Sequence, residues 1–228
     1  MIWSWIPGHL GQMWQLTLQN AYLGVVPALA GLVISVPLGI ACVRWRWLYP
    51  PVLSGTSIVY AIPSLALFVA LIPYTGLTPE TVIIVLTLFS LCVLLPNVVD
   101  GLRSVPEPVR QAATAMGFGT IRRLALVELP VAAPLVIAGL RVATVSSISL
   151  ASVGQLIGVS SLGYLFIDGL QRDFPTEIVT GLVLVIILAF VVDLILVGVR
   201  WLLTRWQRGE REAAAPRALA QLIPGGMR

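Results

Sequence analysis

Residues 103–130 read RSVPEPVRQAATAMGFGTIRRLALVELP, a polar interval with four arginines between two long apolar runs. Pro106, Glu107 and Pro108 suit the start of a helix. A proline in the first turn gives up an N–H that has no intrahelical partner, and an early carboxylate favours the positive end of the helix. Val109, Ala112, Ala113 and Met116 then follow the i, i+3, i+4, i+7 spacing of one apolar face, with Arg110, Gln111 and Thr114 pointing the other way. Gly117 and Gly119 end this helix. Thr120 is placed to cap a second amphipathic stretch, in which Ile121, Leu124 and Ala125 oppose Arg122 and Arg123 and which runs to Leu129 and Pro130. The pattern predicts short helices lying along a membrane surface and presenting a docking face.

The flanking sequence is apolar enough to make that surface a bilayer. Of 228 residues 58% are apolar and 11% charged, and mean hydropathy is +0.96, values of an integral membrane protein. A crossing needs about 20 apolar residues. Five runs meet this, at 16–43, 52–73, 79–100, 130–157 and 178–200, so the expected fold is an all-α membrane bundle. Residues 1–15 read as an interfacial segment, 16–205 as the transmembrane domain and 206–228 as a disordered tail. Pro27, Pro37, Pro63 and Pro96 predict bent helices whose freed carbonyls neighbours must satisfy. The apolar run from 130 to 170 is too long for one crossing and short for two; one crossing followed by a short outer helix at 161–170 keeps the arginines on one side.

Arginine placement sets the orientation. Twelve of the 14 arginines follow the first, third and fifth runs, leaving Arg172 on the other side and Arg141 inside a run. Basic residues stay in the cytoplasm, which places the N-terminus outside and the C-terminus inside. All seven tryptophans lie at the ends of runs, as interfacial anchors do. Residues 1–14 lack the basic start and small-residue cleavage site of a signal peptide, so this segment is expected to remain.

Several chemistries are excluded. The chain has no lysine, and a Walker A phosphate loop needs one, so ATP hydrolysis has to come from a partner. Cys42 and Cys92 lie apart in apolar runs and read as unreactive thiols; His9 reads as an interfacial polar group. No catalytic motif, metal cluster or nucleic-acid signature is legible, and no cofactor is expected on this chain.

Arg141 and Asp193 stand at depth in the fourth and fifth runs, about 16 Å and about 10 Å of helix rise from the same face, so they can meet. A structural ion pair and a water-lined pathway both fit. Asn97 and Asp100 are expected to cap the third run and meet the loop. Tyr60, Pro63, Ser64 and Ser147 are pathway candidates, although hydroxyl and small residues also pack helices. Asp168, Asp173 and Glu177 make an acidic outer loop, either facing a solute donor or forming a solvated rim.

The spacing Gln111, Ala112, Ala113, Gly117, Val127, Leu129, Pro130 resembles the cytoplasmic loop signature of the permease subunits of bacterial ABC importers, E-A-A-x3-G-x9-I-x-L-P. Gln replaces Glu at 111, which removes a charge, and Val replaces Ile at 127. The resemblance implies a type I importer permease in the bacterial inner membrane. It makes Glu107, Arg110, Gln111, Ala112, Ala113, Gly117, Arg122, Arg123, Leu129 and Pro130 a coupling loop for an ABC ATP-binding subunit that carries ATP and Mg. It also implies a second permease subunit and an extracytoplasmic substrate-binding protein.

Further likeness lies in Val36–Pro37–Leu38–Gly39–Ile40, Ile62–Pro63–Ser64–Leu65–Ala66, Gly101–Leu102–Arg103–Ser104–Val105, Ala138–Gly139–Leu140–Arg141 and Leu162–Gly163–Tyr164. It is greatest to the glycine betaine, carnitine and choline branch, which implies a quaternary ammonium osmoprotectant. No soluble extension follows residue 228, so a separate binding protein is expected. The alternatives are a methionine or other amino-acid permease, and an ion-coupled secondary transporter.

Overall fold

The computed structural model describes residues 4–204, all helix and connecting turns with no strand among them. Residues 1–3, the expected tail at 206–228 and the arginines from 205 onward lie outside the described residues. A short helix α1, Trp5–Gly8, leads into α2, Leu10–Arg44. His9 joins them, its ring stacked on Trp5 at 4.1 Å and its Nδ1 donating to the Trp5 carbonyl at 2.9 Å. Helix α2 begins at Leu10, within the segment 1–15 expected to be interfacial.

The central layer is made of α2, α5 (Pro79–Arg103) and α8 (Leu129–Ala151), packed against one another along their lengths. Small residues permit the approach. A Cβ on Gly24 of α2 would collide with the Ile148 side chain and lie 2.8 Å from its Cα. Asn20 of α2 is fully buried and bonds three ways: it donates to the Ile148 carbonyl at 3.0 Å and accepts from Ser152 Oγ and Leu162 N–H, each at 3.3 Å. A polar group in such a core costs little only when partnered, and these bonds lock α2 to both ends of the turn that follows α8.

The second expected crossing, 52–73, is a sharply bent pair of helices, which makes a fifth span if the pair counts as one. Arg46–Ala61 and Ser64–Thr75 meet at 95°, because Ile62, forced out of the helical region by the following Pro63, is extended at ψ 130°. The limbs α3, Tyr49–Ala61, and α4, Ser64–Thr75, are 13 and 12 residues, about 20 and 18 Å, each too short to cross alone. Four other helices are long and apolar enough to cross: Leu10–Arg44, Pro79–Arg103, Thr120–Ile157 and Pro175–Leu203.

The run from 130 to 170 resolves as one long helix. It tightens over Ser152–Ile157, reverses at Gly158 (φ 83°) and is followed by a nine-residue helix α9, Gly163–Gln171. The last helix, α10, Pro175–Leu203, leans on α8 and α9 and leaves Leu182, Ile186, Phe190, Leu194 and Ile195 exposed, a surface suited to hydrocarbon. The acidic loop, expected either to face a solute donor or to form a solvated rim, is largely tied up in ion pairs. Arg172 pairs with Asp168 and reaches buried Glu177 at 3.0 Å, and only Asp173 is left exposed.

Candidate functional site

Residues 103–130 cap one end of the bundle. Helix α5 runs to Arg103 and is followed by Ser104, so neither Asn97 nor Asp100 caps it, a correction. Asn97 instead donates to the Val93 carbonyl at 2.8 Å, and Asp100 is exposed. The next helix, α6, is Glu107–Ala115 with Pro106 as its cap, as the Pro-Glu-Pro start implied. It ends in a Schellman motif: Phe118 N–H reaches the Ala113 carbonyl at 3.1 Å and Gly117 N–H the Thr114 carbonyl at 3.0 Å. Gly117 sits at φ 81°, where a side chain would be strained. The fixed spacing from the alanine pair to this glycine is thus the length of one capped helix turn.

The faces of α6 differ from expectation. Ala113 is buried at 1%, whereas Val109, Ala112 and Met116 remain exposed, so the apolar stripe is largely uncovered in this chain. Arg110 turns inward, and Nη2 donates to the Leu102 carbonyl at 2.7 Å, satisfying an orphan acceptor at the end of α5. Gln111 and Arg122 are exposed, with Arg122 stacked over Phe118 at 4.8 Å.

After Gly119, which caps in place of Thr120, comes α7, Thr120–Arg123, and then a π-helical turn, Leu124–Glu128. Leu129 N–H reaches back to the Leu124 carbonyl, and Pro130 follows without an N–H to continue the α pattern. In an α-helix residues five apart stand about 140° apart; a π turn brings them to the same side. Glu128 is thereby turned inward to 7% exposure, and Arg123 Nε donates to Oε1 at 2.8 Å. Arg123 Nη1 also donates to Thr114 Oγ1 at 3.0 Å, and Arg110 Nε stands 3.9 Å from Glu128 Oε2. One carboxylate and two guanidiniums thus join the end of α5, α6, α7 and the start of α8. Glu128 was not singled out from sequence, since its inward position depends on the π turn.

Arg141 and Asp193 meet, Nε to Oδ1 and Nη2 to Oδ2, each at 2.7 Å. Tyr60, Pro63 and Ser64 flank the 95° bend; Tyr60 and Pro63 are exposed, Ser64 half-buried. Ser147 is corrected: it is 2% exposed and hydrogen-bonded to Ser90 at 3.2 Å, inside the packed core. Cys42 is buried, and the Cys92 thiol donates to the Thr56 carbonyl at 2.8 Å, tying α5 to α3. Among the described residues no cluster of metal-ligating side chains occurs.

The chain is similar to known proteins. The chain is 31% identical over 204 residues to the osmoprotectant import permease protein OsmW of Salmonella typhimurium, covering 87% of this chain and 92% of that one. It is 32% identical to the glycine betaine/carnitine/choline transport system permease protein OpuCB of Bacillus subtilis, covering 82% of this chain and 86% of the relative. A solved structure of the MetNI methionine ABC transporter in an inward-facing conformation superposes with a TM-score of 0.73 at 22% identity, covering 85% of this chain and 98% of that one, a likeness of fold. The family model for the binding-protein-dependent transport system inner membrane component matches residues 31–209, and the chain belongs to that family.

Proposed function

We propose that this ABC importer permease takes up a quaternary ammonium osmoprotectant such as glycine betaine, carnitine or choline. On this reading the arginine-rich end faces the cytoplasm and receives an ATP-binding subunit on α6. A second permease subunit completes the pathway, and an extracytoplasmic protein delivers the solute. The observation that carries the coupling role is the split character of α6. Its inner side is bonded through Arg110 to the Leu102 carbonyl and buries Ala113, while Val109, Ala112 and Met116 remain uncovered. A helix fixed on one side and apolar on the other can transmit force without burying itself. The lysine-free composition gives the chain no Walker A loop, so ATP and Mg belong to the partner. The substrate class is supported by relatives whose names specify osmoprotectants; the methionine transporter is a likeness of fold at lower identity.

Ala112→Trp on a tagged permease tests the coupling surface, because Ala112 is exposed and the change leaves the bundle intact. The expected result is loss of the co-purifying ATPase with unchanged permease abundance; full retention overturns the docking role. Calorimetry of the partner binding protein with glycine betaine, choline and methionine tests the cargo. Binding of methionine alone favours the amino-acid alternative.

A further inference from the structure

We propose that the arginine-rich end holds the phosphate group of an anionic phospholipid between the end of α2, the end of α5 and α6. Two adjoining cavities share Val43 and Arg110 as walls. The larger, about 460 Å³, is lined by Val43, Arg46, Arg103 and Arg110. The smaller, about 180 Å³, adds Arg44, Arg123 and Glu128. Five guanidiniums and one carboxylate therefore line the two cavities together, and that carboxylate is already bonded to Arg123 at 2.8 Å.

Arg110 stands 3.9 Å from both Glu107 and Glu128, and Arg123 is bonded to Glu128, but the other three arginines have no such partner among the described residues. Arg44, Arg46 and Arg103 form no ion pair there, and the buried Nε of Arg110 has no hydrogen-bond partner. Arg103 is instead held over the Tyr49 ring at 4.7 Å, which orients its fork while leaving the N–H groups unused. Guanidiniums converging from separate elements match the oxygens of a phosphate, and charge-assisted bonds of this type are the strong ones.

The aromatic neighbours point to a lipid as the source of the phosphate. Trp45 and Trp47 stand exposed beside Arg44 and Arg46, and indoles of this kind sit at headgroup depth. Basic pockets between helix ends at a membrane face are suited to anionic headgroups. The site rests on this geometry and is independent of which solute is carried.

Native mass spectrometry of the full-length permease, released from bilayers of equal phosphatidylglycerol and phosphatidylcholine, tests the site. Wild-type protein is expected to retain phosphatidylglycerol selectively. Arg46→Gln with Arg103→Gln should cut that retention about 25-fold, at roughly fivefold per guanidinium near an anionic lipid. Arg46→Gln alone, at an exposed position, carries the test if the double variant fails to fold, with a loss of about fivefold expected. Arg200→Gln, at the end of α10 and outside the pocket, should leave retention unchanged. Equal retention of the two lipids, or an equal loss in Arg200→Gln, overturns the proposal. Inorganic phosphate added to protein in phosphatidylcholine bilayers should leave the melting temperature unchanged while phosphatidylglycerol raises it. Stabilisation by free phosphate matching that by phosphatidylglycerol assigns the site to a soluble anion and overturns the lipid reading.

Discussion

Arg141 of α8 and Asp193 of α10 form a two-pronged ion pair, both contacts at 2.7 Å, with side-chain exposures of 31% and 25%. The two are separated by 52 positions that take in the turn at Gly158, α9 and the start of α10, so this fork closes a long excursion of the chain. The start of α10 is held by buried Glu177, Gly181 and Val185 packed on α9 and α8, and the Arg141–Asp193 fork adds a polar tie further along the same helix.

Asp193→Asn should therefore leave a guanidinium unpaired at membrane depth, costing about 2–3 kcal/mol. The expected outcome is reduced abundance and a lower melting temperature in detergent. Replacing both residues with leucine should recover most of the loss, because an apolar pair needs no desolvation. Wild-type abundance of Asp193→Asn with uptake abolished would instead assign the pair to the solute pathway.

Asn20→Leu should destabilise the outer half of the bundle. It removes one donor and one acceptor that together serve Ile148, Ser152 and Leu162, and leaves the Ile148 carbonyl and the Leu162 N–H buried without that partner. A loss of about 2–3 kcal/mol follows, read as a fall in melting temperature. Faster hydrogen exchange should be confined to the amides around 158–165. Exchange rising equally at the loop 103–130 would contradict a local role.

Gly117 makes a sharper test of the loop, because its φ of 81° ranks substitutions by backbone preference and not by size. Gly117→Asn should retain most co-purifying ATPase, since Asn tolerates the left-handed region. Gly117→Ala should lose part, at about 1 kcal/mol, and Gly117→Val more. A ranking by side-chain volume, with Ala better than Asn, would mean that steric contact with the partner dominates over the helix end.

Much of this was legible in sequence because it depends on local rules. Pro106–Glu107–Pro108 fixed the start of α6, Gly117 its end, and twenty-residue apolar runs the long helices. The arginine and aspartate of the fourth and fifth runs could be matched by helix rise alone. What was not legible depends on two distant segments agreeing. At the 95° turn by Pro63, Phe68 of α4 is packed against α5, whereas Pro27, Pro37 and Pro96 lie inside continuous helices. Asn20 looks like one polar residue in an apolar run until Leu162 is brought to it. Arg110, assigned outward by periodicity, turns inward because the last carbonyls of α5 lie within its reach.

Glu128 is the residue on which these non-local effects converge, and it gives the most discriminating prediction. It is held inward by a π turn and bonded to Arg123, which in turn holds Thr114 of α6. If this cluster makes α6 and α8 move as one body, Glu128→Gln should keep the fold, because the amide oxygen still accepts from Arg123, while losing the charge that holds Arg110 near. The charged bond contributes about 1.5–3 kcal/mol and a neutral one about 1. The reconstituted transporter should then hydrolyse ATP at near wild-type rate with uptake per ATP reduced several-fold. Glu128→Ala, which removes the acceptor as well, should lower both uptake and the melting temperature. Proportional loss of ATPase and uptake in Glu128→Gln would show that the carboxylate only supports the bound state of the partner. Unchanged uptake per ATP would show that α6 transmits force without it.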